Sequence, residues 1–126
     1  MNIYDTRFFF EHYYSDDKAT LESTKSHLRA KETKYVSAVT IHEVYKLSLE
    51  KEGKEVAITR SNLLEKDFEV IPVAAEVARK SAELRSKYRI PMADSMVAAS
   101  AELFRLSCVS DDPHLEMVKE IEVRWL

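Results

Sequence analysis

The 126-residue chain reads as an α/β protein built on an open parallel sheet, and three observations carry that reading. Short apolar runs rich in β-branched residues alternate with amphipathic stretches of helical spacing, and no linker, repeat or low-complexity tract interrupts them. With 45% hydrophobic and 33% charged residues the chain supports one compact core, leaving no room for a second, so residues 1–126 form one domain. Four acidic residues far apart in sequence, Asp5, Glu43, Asp94 and Asp112, each stand where a strand gives way to a helix or a new helix begins.

Taken in order, Asn2–Tyr4 is a minimal first strand, followed by a helix over Thr6–Tyr14 and another over residues 17–31, mostly polar with Leu21 and Leu28 on one face. Residues 35–37 make strand two. A helix over 41–52 follows, with Ile41, Val44, Tyr45 and Ser48 at spacings of three and four, and Gly53 as its stop. After a helix over 54–66, the β-rich run 68–73 supplies strand three. Two helices, 74–88 and 93–104, flank Arg89-Ile-Pro91. Strand four covers 107–110, a short helix 113–118, and a final strand 122–126.

The net charge of -3 and isoelectric point near 5.8 argue against a uniformly basic nucleic-acid coat but permit a basic rim around an acidic cleft. Cys108 is alone in an apolar run, so no internal disulfide forms and a reducing cytoplasm fits. No apolar run is long enough to span a bilayer, and Asp5 arrives before a signal-peptide core could form. The expectation is a soluble cytoplasmic protein.

Each acid has a plain explanation as a helix cap. Thr40-Ile-His-Glu43 matches a capping box, Asp112-Pro113 matches an N-cap followed by proline, and Asp5 and Asp94 can serve the positive ends of the helices that follow. The combination says more. In an open parallel sheet the strand-to-helix turns share one edge, so the positions that cap helices also gather carboxylates in space. Four such groups repel one another, and a divalent cation relieves the cost.

The segments that hold these acids are Asn2-Ile-Tyr-Asp5-Thr6, Val36-Ser-Ala-Val-Thr-Ile-His-Glu43-Val, Pro91-Met-Ala-Asp94-Ser-Met-Val-Ala-Ala-Ser-Ala101 and Cys108-Val-Ser110-Asp-Asp112-Pro-His114-Leu. In order, spacing and local context they resemble a PIN domain over nearly the whole chain, with Ala93-Asp94 and the small-residue helix after it as the most specific piece. The similarity is closest to single-domain PIN toxins of VapBC-type toxin-antitoxin pairs. That resemblance implies a three-layer α/β/α sandwich with a central parallel sheet, magnesium or manganese at the acidic cleft, endoribonuclease activity on RNA, a homodimer, and neutralisation by a small antitoxin protein. The chain departs from the family pattern at Arg7, where Asn often follows the Asp-Thr pair, and at Phe104-Arg-Leu-Ser107, which lacks a frequent glycine. Asp111 and Asp112 are adjacent, and Asp112 keeps the family spacing to Ser110 and His114.

Oxygen ligands without a Cys or His cluster suit magnesium or manganese and disfavour zinc. The expected roles are metal binding by Asp5, Asp94 and Asp112, with Glu43 acting through a water or orienting the nucleophile. Four acids do not distinguish one ion from two. Ser110 and Thr6 are either orienting hydroxyls for these carboxylates or ordinary turn residues. Phe8, Phe9, Phe10, Tyr13 and Tyr14 read as core ahead of base-stacking groups, and His42 and His114, which neighbour the acids, read as surface residues. On helix 74–88, Val77, Ala78, Ala82 and Leu84 form an apolar set expected to face a two-fold partner, with Arg85 and Lys87 along an RNA groove.

Two other readings stand beside the nuclease. One is a noncatalytic PIN-like module that binds RNA or protein, which only an activity assay with metal separates. The other is a phosphoacceptor receiver domain, disfavoured because Ile71-Pro-Val73 ends strand three without an acceptor Asp.

Overall fold

The computed structural model describes residues 1–126. Five strands and seven helices follow in the order β1 (Asn2–Tyr4), α1 (Thr6–Tyr14), α2 (Lys18–Arg29), β2 (Lys34–Ser37), α3 (Ala38–Glu52), α4 (Lys54–Asp67), β3 (Glu69–Ile71), α5 (Ala75–Tyr88), α6 (Met92–Phe104), β4 (Ser107–Val109), α7 (Pro113–Glu116) and β5 (Val123–Arg124). The sheet order is β3-β2-β1-β4-β5, and every neighbouring pair is parallel.

Alternation along each strand sends side chains to two separate cores, which makes the sheet the middle of three layers. Ile3 and Cys108 face one side with Val77, Leu84, Val97, Ala98 and Leu115 from the helices that cover it. Tyr4 and Val109 face the other with Phe8, Phe9, Val44, Leu64 and Phe68. The aromatic run of α1 is therefore divided. Phe8 and Phe9 are core, while Phe10, Tyr13 and Tyr14 are half-buried.

Three departures from the sequence reading have physical causes. Helix α3 begins at Ala38, because the Ser37 hydroxyl accepts from the Val39 amide at 3.2 Å and starts the helix directly at the end of β2. Thr40 and Glu43 thus sit inside the helix and form no capping box. Next, Val77 and Leu84 of α5 are 3% and 2% exposed in the monomer, packed in the core beside α6. The α5 and α6 helices also meet through the buried Ser81 and Ser95 hydroxyls, 2.6 Å apart. Only Ala78 and Ala82 of that apolar set remain exposed, so the set does not supply a two-fold contact face. Finally, Arg105 takes the left-handed conformation (φ 56°) in the turn before β4, doing without a Cβ-free residue where one is favoured. Gly53, at φ 90°, separates α3 from α4 as its composition suggested.

Candidate active site

The centre of the sheet positions the site. The chain leaves β1 toward β2 on one side, whereas β4 pairs with β1 on the other side and leads on to β5. The strand order reverses between β1 and β4, which opens a crevice beyond their carboxyl ends. Asp5 follows β1 and Ser110 to Asp112 follow β4, and the Asp5 amide donates to the Val109 carbonyl at 3.2 Å, closing the two turns together.

Asp5 is 3% exposed and caps α1, its Oδ2 accepting from the Arg7 amide at 3.5 Å and from Ser110 Oγ at 2.8 Å. Burial pushes its carboxyl up to about 6, the Ser110 bond and the backbone amides of Thr6 and Arg7 oppose that, and the charge of Glu43 adds to it. The same Ser110 oxygen accepts from the Asp112 amide at 3.0 Å. One hydroxyl therefore links two of the acids and behaves as an orienting group, the more specific of its two expected roles.

Asp94 lies in the first turn of α6, whose cap position is held by Pro91 without a side-chain bond. Its side chain is 14% exposed. Burial pushes the carboxyl up to about 7, with further upward pressure from Asp112, Asp5 and Glu43 and an opposing pull from His114. All four sequence-predicted acids are thus within one electrostatic neighbourhood, gathered from four different turns and helices.

Asp112 caps α7 by accepting from the His114 amide at 2.8 Å, as its Asp-Pro context suggested. The His114 ring turns back over it: Nδ1 is 3.1 Å from Asp112 Oδ1 and 3.4 Å from Asp94 Oδ2. Single ligand atoms of Asp94, Asp112 and His114 all lie within 4.8 Å of one another. His114 is exposed, as expected of a surface residue, but its ring is brought to the Asp94–Asp112 pair, which sequence reasoning did not anticipate. Its signal was the two-residue spacing from a helix-capping Asp, which brings an imidazole back to the cap carboxylate.

Glu43 joins the cleft from the interior of α3, with Oε1 accepting from Thr6 Oγ1 at 2.6 Å. Thr6 therefore orients a carboxylate as well. Asp111 turns away from the pair: Arg7 binds it through Nε at 2.9 Å and Nη2 at 3.3 Å, and Nη2 also reaches Glu11 at 3.2 Å. The cation at position 7 is spent on Asp111 instead of facing the carboxylate cluster. The donor set of crowded, partly desolvated carboxylate oxygens, with a single imidazole nitrogen at its margin, fits a divalent cation.

Fold and acids together define a class: an α/β/α domain with an acidic cleft at the switch point of a parallel sheet. The chain belongs to the PIN domain family, whose model matches residues 3–121. Solved structures agree at the level of fold. VapC20 of Mycobacterium tuberculosis, described as a toxin that cleaves the sarcin-ricin loop, superposes with a TM-score of 0.81 at 16% identity, over 98% of this chain and 99% of that one. VapBC2 of Rickettsia felis bound to promoter DNA gives 0.80 at 13% identity, over 99% and 98%. FitAcB of Neisseria gonorrhoeae gives 0.78 at 21% identity, over 98% and 96%. No match was found among curated proteins. No helix is long and apolar enough to cross a membrane.

Proposed function

We propose that this PIN domain, one domain over residues 1–126, is a metal-dependent endoribonuclease and the toxin of a toxin-antitoxin pair that works in the cytoplasm. The observation that carries the reading is the convergence of Asp5, Glu43, Asp94 and Asp112 at the switch-point edge, two of them with carboxyls raised to about 6 and about 7. A protein that gathers three acids around a buried fourth holds a site that is costly without a cation.

Asp5, Asp94 and Asp112 would hold magnesium or manganese, which when bound lowers the pKa of a water and neutralises charge on a phosphodiester. Ser110 fixes Asp5 and the Asp112 turn in a single geometry. Glu43, held by Thr6, is placed to orient the attacking water or take its proton, and His114 sits at the Asp94–Asp112 pair where a leaving oxygen would gain a proton. No protein nucleophile is required. One structural neighbour, from Klebsiella pneumoniae, is described as a toxin–antitoxin complex, and three VapBC or FitAB structures are described as bound to DNA, which supports a small antitoxin as the partner here. The homodimer belongs to the same reading, with a contact other than the α5 apolar set.

The test is cleavage of RNA by the purified protein with Mg2+ or Mn2+. Activity is expected to vanish in chelator and in a folded Asp94→Asn variant. Cleavage that persists in either condition refutes the mechanism, and binding of RNA without cleavage under any metal favours the noncatalytic module.

A further inference from the structure

Beside the acidic cleft, between α1 and α3, lies a cavity of about 280 Å3 that the four acids do not account for. Thr6 and Glu43 form the wall it shares with the cleft, and Arg7, Phe10, Lys46, Leu47 and Glu50 line the rest. Its volume is close to the lower bound of small-molecule sites, roughly 300 Å3, which is room for one nucleotide and not for two. We infer that this cavity is a nucleotide subsite, holding the residue of a single-stranded RNA next to the phosphate positioned at the acids. The inference rests on the nuclease reading for the identity of the strand, but not for the chemistry of the cavity.

The lining supplies what a nucleotide needs. Lys46 is 64% exposed and pairs at 2.7 Å with Glu50, itself 59% exposed. Such a surface pair contributes little and exchanges readily for a phosphate oxygen. Arg7 is different, because Asp111 and Glu11 hold its Nε and Nη2 in place while its Nη1 makes no hydrogen bond within the protein. A guanidinium fixed on one edge offers a second edge at low entropic cost. Phe10 is half-buried, with the Arg7 guanidinium 5.2 Å from its ring centroid, and it contributes the aromatic surface on which a base stacks. The polar groups in this lining disfavour a purely apolar ligand, which would cover Thr6, Glu43 and the Arg7 edge without offering any of them a hydrogen bond. The departure from the family pattern at position 7 thereby acquires a use: the cation that Asp111 keeps away from the metal site faces the neighbouring nucleotide.

The experiment uses the full chain carrying Asp94→Asn, a fluorescent 2′-O-methyl RNA hexamer that resists cleavage, and polarisation measured across a salt series. Lys46→Gln and Phe10→Leu, each confirmed folded by circular dichroism, are expected to weaken binding about tenfold. Only Lys46→Gln should lower the salt dependence, by about 0.7 in the log–log slope. In the chain with Asp94 restored, Lys46→Gln should raise KM more than it lowers kcat. Unchanged affinity and slope in both variants overturn the subsite. An active nuclease with unaltered KM in both does so as well, leaving the hydrolytic reading intact. Binding that depends on Lys46 and Phe10 in a chain that never cuts RNA supports the subsite and sinks the hydrolytic reading instead.

Discussion

Replacing Asp94 by Asn is expected to make the metal-free protein more stable near neutral pH while removing its stabilisation by a divalent cation. The carboxyl is pushed up to about 7 from an ordinary 3.8, by burial first and then by Asp112, Asp5 and Glu43. For an acid raised in this way the folded chain holds the proton more tightly than the unfolded chain. The associated stability is present below about pH 4 and is lost as the pH rises through about 7. A shift of about three units corresponds to at most ~4 kcal/mol. Asp5 and its neighbours can take up protons in place of Asp94 and water reaches part of the side chain, so a gain of about 1 to 2 kcal/mol for the amide is expected. Urea unfolding in chelator, followed by far-ultraviolet circular dichroism, should give midpoints that draw together toward about pH 4 and separate up to about pH 8. Added Mn2+ should then raise the midpoint of the parent protein and leave that of the variant nearly unmoved. A variant that is less stable than its parent at every pH, with a constant difference, would refute the reasoning and make Asp94 a helix-end residue of α6.

Three further outcomes are expected. Ser110→Ala removes the donor to Asp5 and the acceptor for the Asp112 amide, so carboxyl NMR should show Asp5 titrating higher, and Mn2+ affinity should fall at least about tenfold. Leu84→Ala should cost about 2 to 4 kcal/mol in urea unfolding, with the mass by light scattering unchanged; a change of mass without loss of stability would return α5 to the role of contact helix. Arg105→Gly should stabilise by about 0.5 to 1 kcal/mol, the relief of the left-handed conformation exceeding the added flexibility of the unfolded chain; a lower midpoint would show that the arginine side chain contributes more than its backbone costs.

What was legible in the sequence followed from local chemistry. The short apolar strand runs, the glycine stop and the Asp-Pro cap each depend on residues within a few positions, and the structure has a strand, a stop or a cap at each place, with β3 and β5 shorter than read. The four acids were legible because parallel topology gathers strand ends at one edge, whatever the details of the turns. Glu43 was placed in the right cleft for the wrong local reason: Ser37 starts α3 three residues before Thr40 could, and a cap residue cannot be told from its neighbours until the end of the strand is known. The apolar positions of α5 were expected to face a two-fold partner, because spacing within one helix does not say which surface covers it. The crossover passes over β2 and β1, where α6 packs on the sheet and α5 packs against α6. Burial of Val77 and Leu84 is a tertiary fact that no spacing within α5 contains. The pairing of Arg7 with Asp111, 104 positions apart, is of the same kind.

The central place of β1 also bears on how the protein comes into being. Its hydrogen-bonding partner on one side, β4, is made about a hundred residues later, and the Ser110 hydroxyl that holds Asp5 stands 105 positions from it. Contacts of such separation form late and slow the folding of the whole domain. During synthesis the first strand can be paired along its β2 edge while its other edge waits, and until residues 107–112 have left the ribosome Asp5 has neither its Ser110 donor nor Asp112 beside it. Every shortened product that stops before that point lacks the completed cluster, so the four acids come together only after residue 112 has been made.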